Sequence, residues 1–388
     1  MKRWLFAAAT ALCLLAVPAL AADKVKIGLL TTLVGPGGPM GRNIKDGAEL
    51  ALQMLGGKMG GLPVEIIYGE DQGKPDVGRQ VAEEMVKKDH VDFIIGEPWS
   101  NVLLAIYKPV IDSGTILVGG YGTTKEIAGE MCAPNFFNVG VNSDEPGEAM
   151  GKYMLDAKID DVYIMAPNFT GGKGVLGGFK RYYKGNIVAE VYTSFAQADF
   201  QAEITQIRAA NPKAVFVFYP AALGVQFVKQ YAQSGLNGKI PLYSVSTANE
   251  TTLPAIGEAA DGEYEAGIWS SHLDNPQNQR FVSAFRAKYG YAPSAYSAIL
   301  FDTVNLIDAA VRAVHGKIED KNAVIAAMEK ADVQSVRGPF KFNSNHFQIQ
   351  DWYLFRIAKD TDGSYYPRYE KTVFSAKKDS YYENCKMK

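Results

Sequence analysis

The sequence predicts an α/β protein made of two open parallel-sheet lobes. Short apolar runs of four to eight residues alternate with amphipathic helical segments, a pattern typical of βαβ units. The alternation occurs once over about 25–140 and again over about 160–250. The chain has 388 residues, which is more than one compact core usually contains, so we assign each alternation to a separate lobe.

The strands and helices of both lobes follow from hydrophobic spacing. Continuously apolar runs indicate strands that are covered on both faces, and apolar residues three or four apart indicate helices. The predicted strands are Val25–Leu30, Val64–Tyr68, Phe93–Gly96, Thr115–Val118, Val162–Ala166, Ile187–Tyr192, Ala214–Tyr219 and Leu242–Val245. The predicted helices are Ile44–Leu55, Asp76–Lys88, Leu103–Ile111, Glu148–Leu155, Lys173–Tyr183, Phe200–Ala209 and Leu223–Ser234.

The last third of the chain departs from this alternation. Helical spacing covers Asn278–Lys288, Ala298–His315 and Ala323–Met328, and strand-like stretches follow at Phe340–Phe342 and Trp352–Ile357. These residues do not form another βα unit. We therefore expect the C-terminal residues to return and complete one of the two lobes.

The N-terminus is typical of a cleaved signal peptide. Two basic residues precede an apolar run over 5–17, and small residues follow at the positions that a signal peptidase requires. We predict that residues 1–21 are removed after Ala21, with cleavage after Ala22 as the alternative, and that the mature protein is periplasmic. The apolar run is too short to span a bilayer.

Two cysteines, Cys132 and Cys385, lie outside the predicted signal peptide. Export to an oxidising compartment allows disulfides to form and persist. We expect the two cysteines to form a disulfide that holds the C-terminus to residue 132. The alternative is a pair of free thiols.

Several chemistries are disfavoured by the sequence. The charge is nearly balanced at −2, without the basic excess of a nucleic-acid binder. The turn at 34–41 does not match the dinucleotide-binding fingerprint, because the sixth position from Gly35 is Met40 and not glycine. The pair Gly172-Lys173 does not match a phosphate-binding loop, because no Ser or Thr follows the lysine. The histidines are scattered and no nucleophile elbow occurs. We predict no enzyme, no cofactor and no metal site.

The order and spacing of five segments resemble a known family, the periplasmic solute-binding proteins of ABC importers, in the branch of the Leu/Ile/Val-binding proteins. These segments are "KIGLLTTLVGPGGPMGRNIKDGAELAL", "VDFIIGEPWSN", "ILVGGYGTTKEI", "PNFTGGKGVLGGFKRYYKG" and "ILFDTVNLIDAAVRAV". The resemblance implies the type I fold, in which two lobes joined by a three-segment hinge close on a ligand. It implies that lobe 1 comprises 22–141 and 272–346, and lobe 2 comprises 142–271 and 347–388.

The resemblance also implies which residues face the ligand, because ligands of open α/β sheets lie beyond the carboxyl ends of the strands. In lobe 1, Ser100 is expected to bind a carboxylate, although its hydroxyl could instead only cap its helix. Thr123 is expected beside it, with Thr124 as the alternative, and Met40 as an apolar lid or a packed core residue. The other implied residues of lobe 1 are Trp99, Asn101, Gly120 and Tyr121.

In lobe 2, the implied ligand-facing residues are Asn168, Phe169, Tyr219, Ser246 and Thr247. Relatives that bind amino acids place an acidic residue in the loop at 246–249 to hold the ammonium group, and here that loop has none. A buried ammonium without a carboxylate partner is costly.

The expected ligand is therefore a small aromatic or hydrophobic carboxylate, delivered to membrane permease subunits by a monomer. A branched-chain or other amino acid is the alternative ligand. A ligand sensor for a signalling partner is the alternative function. None of these functions involves nucleic acid.

Overall fold

The computed structural model describes residues 22–387. The predicted signal peptide at 1–21 lies outside the described residues. The chain forms two sheets of mainly parallel strands with helices between them, which confirms the predicted fold class. Within residues 22–387, no helix combines the length and apolar character needed to cross a membrane.

The first sheet has six strands in the order β2-β3-β1-β4-β5-β6. Strands β1, β3, β4, β5 and β6 are parallel, and the short β2 is antiparallel to β3. The strands are β1 Val25–Thr31, β2 Lys58–Met59, β3 Leu62–Glu70, β4 Phe93–Ile95, β5 Ile116–Gly119 and β6 Phe136–Asn138.

The second sheet has eight strands. Its parallel part runs β8-β7-β9-β10-β11, and β13 then adds antiparallel to β11 and pairs with both β12 and β14. These strands are β7 Val162–Pro167, β8 Ile187–Thr193, β9 Ala214–Val217, β10 Leu242–Val245, β11 Tyr264–Gly267, β12 Lys341–Phe342, β13 Gln348–Lys359 and β14 Tyr365–Lys377. The C-terminal residues thus complete a sheet, as predicted, although the sequence analysis did not find β14.

The helices cover both sheets, and the long α11 packs against α1. They are α1 Gly38–Met54, α2 Pro75–Glu84, α3 Ser100–Asp112, α4 Lys125–Ala128, α5 Glu145–Asp156, α6 Thr170–Tyr182, α7 Gln201–Ala210, α8 Ala222–Gln233, α9 Leu253–Ile256, α10 Pro276–Tyr289, α11 Ala295–Ala313 and α12 Lys321–Glu329.

The glycine-rich segment after β1 differs from its prediction as a turn. Only Gly35–Gly37 forms a short 3-10 turn, and α1 begins at Gly38, six residues earlier than predicted. A proline in the first helical turn is compatible with this start. Gly41 packs so closely on β1 that a Cβ atom there would lie 1.8 Å from the Thr32 carbonyl oxygen. The glycine therefore allows the helix to begin against the end of the strand.

Three connecting segments pass between the two sheets, at 139–144, 268–275 and 343–347. The third joins β12 to β13 and touches the first sheet through a bridge between Phe347 and Asn138 of β6. The first and third lie side by side: the Gln350 side-chain amide donates to the Gly140 carbonyl over 2.8 Å, and the Asn138 N–H donates to the His346 carbonyl over 2.8 Å. The lobe boundaries implied by the resemblance fall within or next to these segments.

A disulfide joins Cys132 to Cys385, as predicted. Cys132 lies between α4 and β6 of the first sheet, whereas Cys385 follows β14 of the second sheet. Residues 377–385, which we name the C-terminal strap, therefore run from one sheet to the other. The strap adds a covalent connection to the three connecting segments.

Buried polar groups hold the strap in place. The Asp379 carboxylate accepts hydrogen bonds from the side chains of Asn142 and Asn345, at 2.8 and 3.2 Å, and these two residues belong to the first and third connecting segments. The Lys377 ammonium lies 2.5 Å from Glu148 and 3.7 Å from Glu145 of α5. Burial raises the pKa of Glu145 to about 8, against the opposing effect of Lys377.

Candidate ligand site between the two sheets

A cavity lies where the carboxyl ends of strands from both sheets meet. We name it the central cavity. Within residues 22–387, no acidic or basic side chain lines it. Its lining residues are Met40, Pro98, Trp99, Ser100, Tyr121, Gly122, Val141, Ser143, Pro146, Phe169, Gly171, Val175, Phe218, Pro220, Ser246 and Tyr296.

Ser100 is the first residue of α3, directly after the β4 loop. Its hydroxyl is buried and has no hydrogen-bond partner within the described chain, so it does not cap the helix. The first intrahelical acceptor of α3 is Trp99, which receives the Leu103 N–H. The N–H groups of the first turn are therefore free, and together with the helix dipole they favour an anion.

Two glycines leave space around Ser100. Gly122 has φ +74°, and a Cβ atom there would lie 2.7 Å from the Pro98 carbonyl oxygen and 3.3 Å from the Ser100 nitrogen. Gly171 approaches from the second sheet, where a Cβ atom would lie 3.1 Å from the Ser100 hydroxyl oxygen. Any larger residue at either position would crowd the hydroxyl or the helix N-terminus.

Ser143 supplies a second buried hydroxyl to the cavity. It lies in the first connecting segment, just before α5, and its Oγ has no hydrogen-bond partner among residues 22–387. Buried hydroxyls in proteins normally have partners, because an unmet one costs about 1–3 kcal/mol. Two such groups on one small cavity indicate a polar group on the ligand.

Aromatic rings form one wall of the cavity. Trp99 makes edge contacts with Phe169 and Phe195, with ring centroids 6.5 and 5.6 Å apart, and Phe169 stacks near Phe218 at 6.1 Å. Because Trp99 belongs to the first sheet's side and the phenylalanines to the second, the contacts join both sides of the cavity. Such rings suit a flat apolar ligand.

A hydrogen-bonded chain orients Trp99. Its indole N–H donates to the Thr32 hydroxyl over 2.8 Å, and that hydroxyl donates to the Asp71 carboxylate. The Trp99 backbone N–H donates to Glu97 over 2.7 Å. Burial, followed by the charge of neighbouring Asp71, raises the pKa of the Glu97 carboxyl. The ring is thus held by buried groups that do not reach the cavity.

The remaining wall contains Tyr121, Tyr296 and Ser246, with the two tyrosine rings 4.7 Å apart. Behind them lies a smaller cavity of about 390 Å³ that contains Glu250 and Glu265. Burial raises the pKa of Glu265 to about 7 and of Glu250 to about 8. The Glu265 carboxylate accepts a hydrogen bond from the Ala248 N–H over 3.3 Å and another from the Ser244 hydroxyl. It therefore stabilises the loop that follows β10.

The sequence matches the family model described as periplasmic binding protein over residues 24–363. This match spans most of the chain.

The chain belongs to the periplasmic binding protein family.

Relatives of this periplasmic binding protein support the assignment. The Leu/Ile/Val-binding protein homolog 6 of Brucella suis biovar 1 (strain 1330) is 27% identical, over 91% of this chain and 92% of the relative. A solute-binding protein of an ABC transporter from R. palustris, solved with benzoate, is 29% identical with a TM-score of 0.89, covering 94% of this chain and 100% of that chain.

A second solved structure is a solute-binding protein of an ABC transporter from Rhodopseudomonas palustris BisB5, in complex with 3,4-dihydroxy benzoic acid. It is 26% identical, with a TM-score of 0.87, and covers 92% of this chain and 99% of that chain. The periplasmic binding protein described here is therefore an ABC-transporter solute-binding protein, a class of carriers and not of enzymes. Within residues 22–387, no cluster of His, Cys, Asp or Glu could hold a metal ion.

The binding protein brings six of the twelve predicted ligand-facing residues to the central cavity. The six are Met40, Trp99, Ser100, Tyr121, Phe169 and Ser246. The other six, Asn101, Gly120, Thr123, Asn168, Tyr219 and Thr247, do not line it.

Three of those six have structural partners in the binding protein. The Thr123 hydroxyl donates to the Asn138 side chain over 3.1 Å, and the Thr247 hydroxyl accepts the Tyr219 N–H over 2.9 Å. The Tyr219 ring packs in a core cluster behind β9. Asn101 follows Ser100 in α3, Gly120 packs beneath α11, and the Asn168 side chain is exposed.

Sequence reasoning missed several cavity residues of the binding protein. Phe218 lines the cavity in place of its neighbour Tyr219, a difference of one position that the alternation of side chains along an extended segment can produce. Ser143, in the first connecting segment, was not among the predicted ligand-facing residues. Tyr296 lies in α11, far along the chain from the other lining residues, and no local motif marks it.

Proposed function

We propose that this binding protein captures a small aromatic monocarboxylate in the central cavity and delivers it to the permease subunits of an ABC importer. The observation that carries the proposal is the combination of two unpartnered buried hydroxyls, Ser100 and Ser143, with aromatic rings and no charged side chain on one small cavity.

In this proposal the carboxylate lies at the start of α3. The Ser100 and Ser143 hydroxyls donate to its oxygens, as do the free N–H groups of the first turn. A helix N-terminus stabilises an anion without a basic side chain. Gly122 and Gly171 leave the space that the carboxylate needs.

The ring of the ligand packs against Trp99, Phe169, Tyr121 and Phe218. Offset and edge contacts with these rings stabilise an aromatic ligand beyond the burial of its area. Met40, which is 3% exposed, covers another side of the ligand. The relatives solved with benzoate and 3,4-dihydroxy benzoic acid bind ligands of this chemical class.

The cavity disfavours an α-amino acid. An ammonium group needs a carboxylate partner when it is removed from water. Within the described residues, the nearest candidates, Glu250 and Glu265, line a different cavity behind Tyr121 and Ser246. Glu265 also accepts hydrogen bonds from the β10 loop, so turning it toward a ligand would leave that loop unsatisfied.

We also propose that the protein works as a periplasmic monomer whose lobes, 22–141 with 272–346 and 142–271 with 347–388, close around the ligand. Closure is a hinge motion that a ligand drives by contacting both lobes. Ser100 from one side and Phe169 from the other meet this requirement. The closed form is then the one that the permease subunits recognise.

Isothermal titration calorimetry of the mature protein tests the ligand class. Benzoate and its hydroxylated derivatives should bind, and benzamide, which has nearly the same shape but no charge, should bind at least tenfold more weakly, about 1.4 kcal/mol. Leucine, valine and phenylalanine should not bind measurably. Tight binding of leucine or valine without a response to any aromatic acid would overturn the proposal, and chemical conversion of the ligand would indicate an enzyme.

A further inference from the structure

A second, larger space adjoins the central cavity. It has a volume of about 830 Å³ and shares Ser143 with the central cavity. We name it the lysine groove and define it by Thr124, Lys125, Ser143, Thr170, Lys173 and Gly174. Both sheets contribute to it, because Lys125 begins α4 after β5 of the first sheet, whereas Lys173 lies in α6 after β7 of the second.

The groove contains positive charge that is not neutralised by ion pairs. Within residues 22–387, neither Lys125 nor Lys173 has an acidic partner within ion-pair distance, and both are exposed. Arg181 at the far end is different, since it lies 2.9 Å from Glu148 and 3.6 Å from Asp144. Glu126 and Asp144 also line the groove, and their negative charges offset part of the positive charge of Lys125, Lys173 and Arg181.

Two buried hydroxyls at the groove lack partners. Thr124 is 2% exposed and Ser143 is 5% exposed, and in the described chain neither Oγ atom has a hydrogen-bond partner. The helix α6 also begins here, and its first intrahelical acceptor, Phe169, receives the Lys173 N–H. The first-turn N–H groups of this 13-residue helix are therefore free to bind an anion.

We propose that the lysine groove binds an oxyanion between Lys125 and Lys173, and that the bound anion favours the closed arrangement of the two lobes. Two ammonium groups that face one groove from opposite lobes repel each other as the lobes approach. An anion between them replaces this repulsion with two attractions. By linkage, an anion that favours closure also strengthens binding in the central cavity.

The oxyanion can come from two sources with the same chemistry. It can be a free inorganic ion such as sulfate or phosphate. It can also be a second carboxylate on an aromatic ligand, because the groove and the central cavity meet at Ser143. The two sources are separated by the experiment.

The first arm measures thermal unfolding of the mature protein in sodium sulfate and in sodium chloride of equal ionic strength, without an organic ligand. The test variant is Lys125→Gln/Lys173→Gln, and the control is Lys229→Gln/Lys239→Gln, which removes two exposed lysines elsewhere. Sulfate should raise the Tm of the wild type and the control by about 2 °C more than that of the test variant. This comparison cancels the general stabilisation of proteins by sulfate.

The second arm uses calorimetry to compare benzoate with the 1,3- and 1,4-benzenedicarboxylates in the same three proteins. If the anion is a second carboxylate of the ligand, one of the two dicarboxylates should bind about fivefold more tightly than benzoate, and the test variant should lose this gain. If the anion is an inorganic ion, sulfate should strengthen benzoate binding about fivefold in the wild type and the control. The test variant, which lacks both lysines, should lose this gain. Equal behaviour of test and control variants in both arms would overturn the inference.

The first arm does not depend on the proposed ligand. A sulfate response that requires the two lysines, together with no binding of any aromatic acid, would support the groove and refute the proposed function. Benzoate binding without lysine dependence in either arm would support the proposed function and refute the groove.

Discussion

The central cavity and the C-terminal strap both contain buried polar groups, but they differ in whether those groups have partners. The cavity has neutral side chains, and the hydroxyls of Ser100 and Ser143 lack partners in the part of the chain that the structure describes. The strap has charged side chains that are paired, such as Lys377 with Glu148 and Asp379 with Asn142. Unpartnered hydroxyls that line a cavity point to a ligand, whereas charged groups that pair with one another point to a structural role. Substitutions should therefore affect binding in the cavity and folding in the strap.

The largest effect is expected from Lys377→Met. Removing the ammonium leaves Glu145 buried without a cationic partner and Glu148 with Arg181 alone, which should lower the free energy of unfolding by about 3–5 kcal/mol. Urea unfolding followed by circular dichroism measures the change. Lys378→Met, which alters the exposed neighbour, is the matched control. A loss below about 1 kcal/mol would mean that the strap is not a structural charge cluster.

A somewhat smaller effect is expected when the disulfide is removed. The bond restricts the unfolded chain between residues separated by 253 positions, so Cys132→Ser/Cys385→Ser should lower the free energy of unfolding by about 2–4 kcal/mol. Unfolding of the wild type in a reducing agent should reproduce the loss. If oxidised and reduced proteins unfold at the same urea concentration, the strap is held by its polar contacts alone.

In the cavity, Ser100→Ala should weaken benzoate binding by about 1–3 kcal/mol. Because the buried Ser100 hydroxyl has no partner among residues 22–387, its removal should leave the free energy of unfolding unchanged or raise it by up to about 1–3 kcal/mol. Calorimetry and urea unfolding measure the two quantities, with Ser364→Ala on an exposed loop as the control. A variant that loses stability but keeps its affinity would contradict the expectation that substitutions in the cavity affect binding and not folding.

A further difference between the two regions is expected from pH. Burial raises the folded-state pKa of Asp144 to about 6 and of Glu145 to about 8, above their values in the unfolded chain. The folded state thus binds more protons between about pH 4 and 8, and stability should fall as the pH rises through that range. The Tm should be higher at pH 5.5 than at pH 8.

Benzoate affinity should change much less between pH 6 and 8, because no group that lines the central cavity titrates there. Paired measurements of Tm and affinity at each pH check both statements. An affinity that follows the Tm would show that the strap and the cavity are coupled.

The fold was predictable from the sequence because it depends on repeated local patterns. Apolar runs such as Val162–Ala166 and the helical spacing of 223–234 indicated β7 and α8 to within a few residues. The strand β14 was missed because half of its residues are exposed and its sequence lacks a continuous apolar run. Its partner β13 stabilises it through a long antiparallel ladder that no local pattern reveals.

The site was predictable only in part. Ser100 and Trp99 could be found because they follow a strand that enters the cavity directly. Thr123 and Thr247 occupy the same kind of position, but their hydroxyls form hydrogen bonds with neighbouring segments of the protein. Whether a hydroxyl is used internally or is left for a ligand depends on contacts between distant residues. A single sequence does not contain that information.

The position of Cys385, near the end of the chain, determines when the strap can form. A ribosome makes a protein from its N-terminus, so Cys132 is present long before its partner. The covalent link therefore cannot form before the residues that follow β14 have been made. A protein that loses only its final few residues would keep both sheets and all three connecting segments but would never acquire this link.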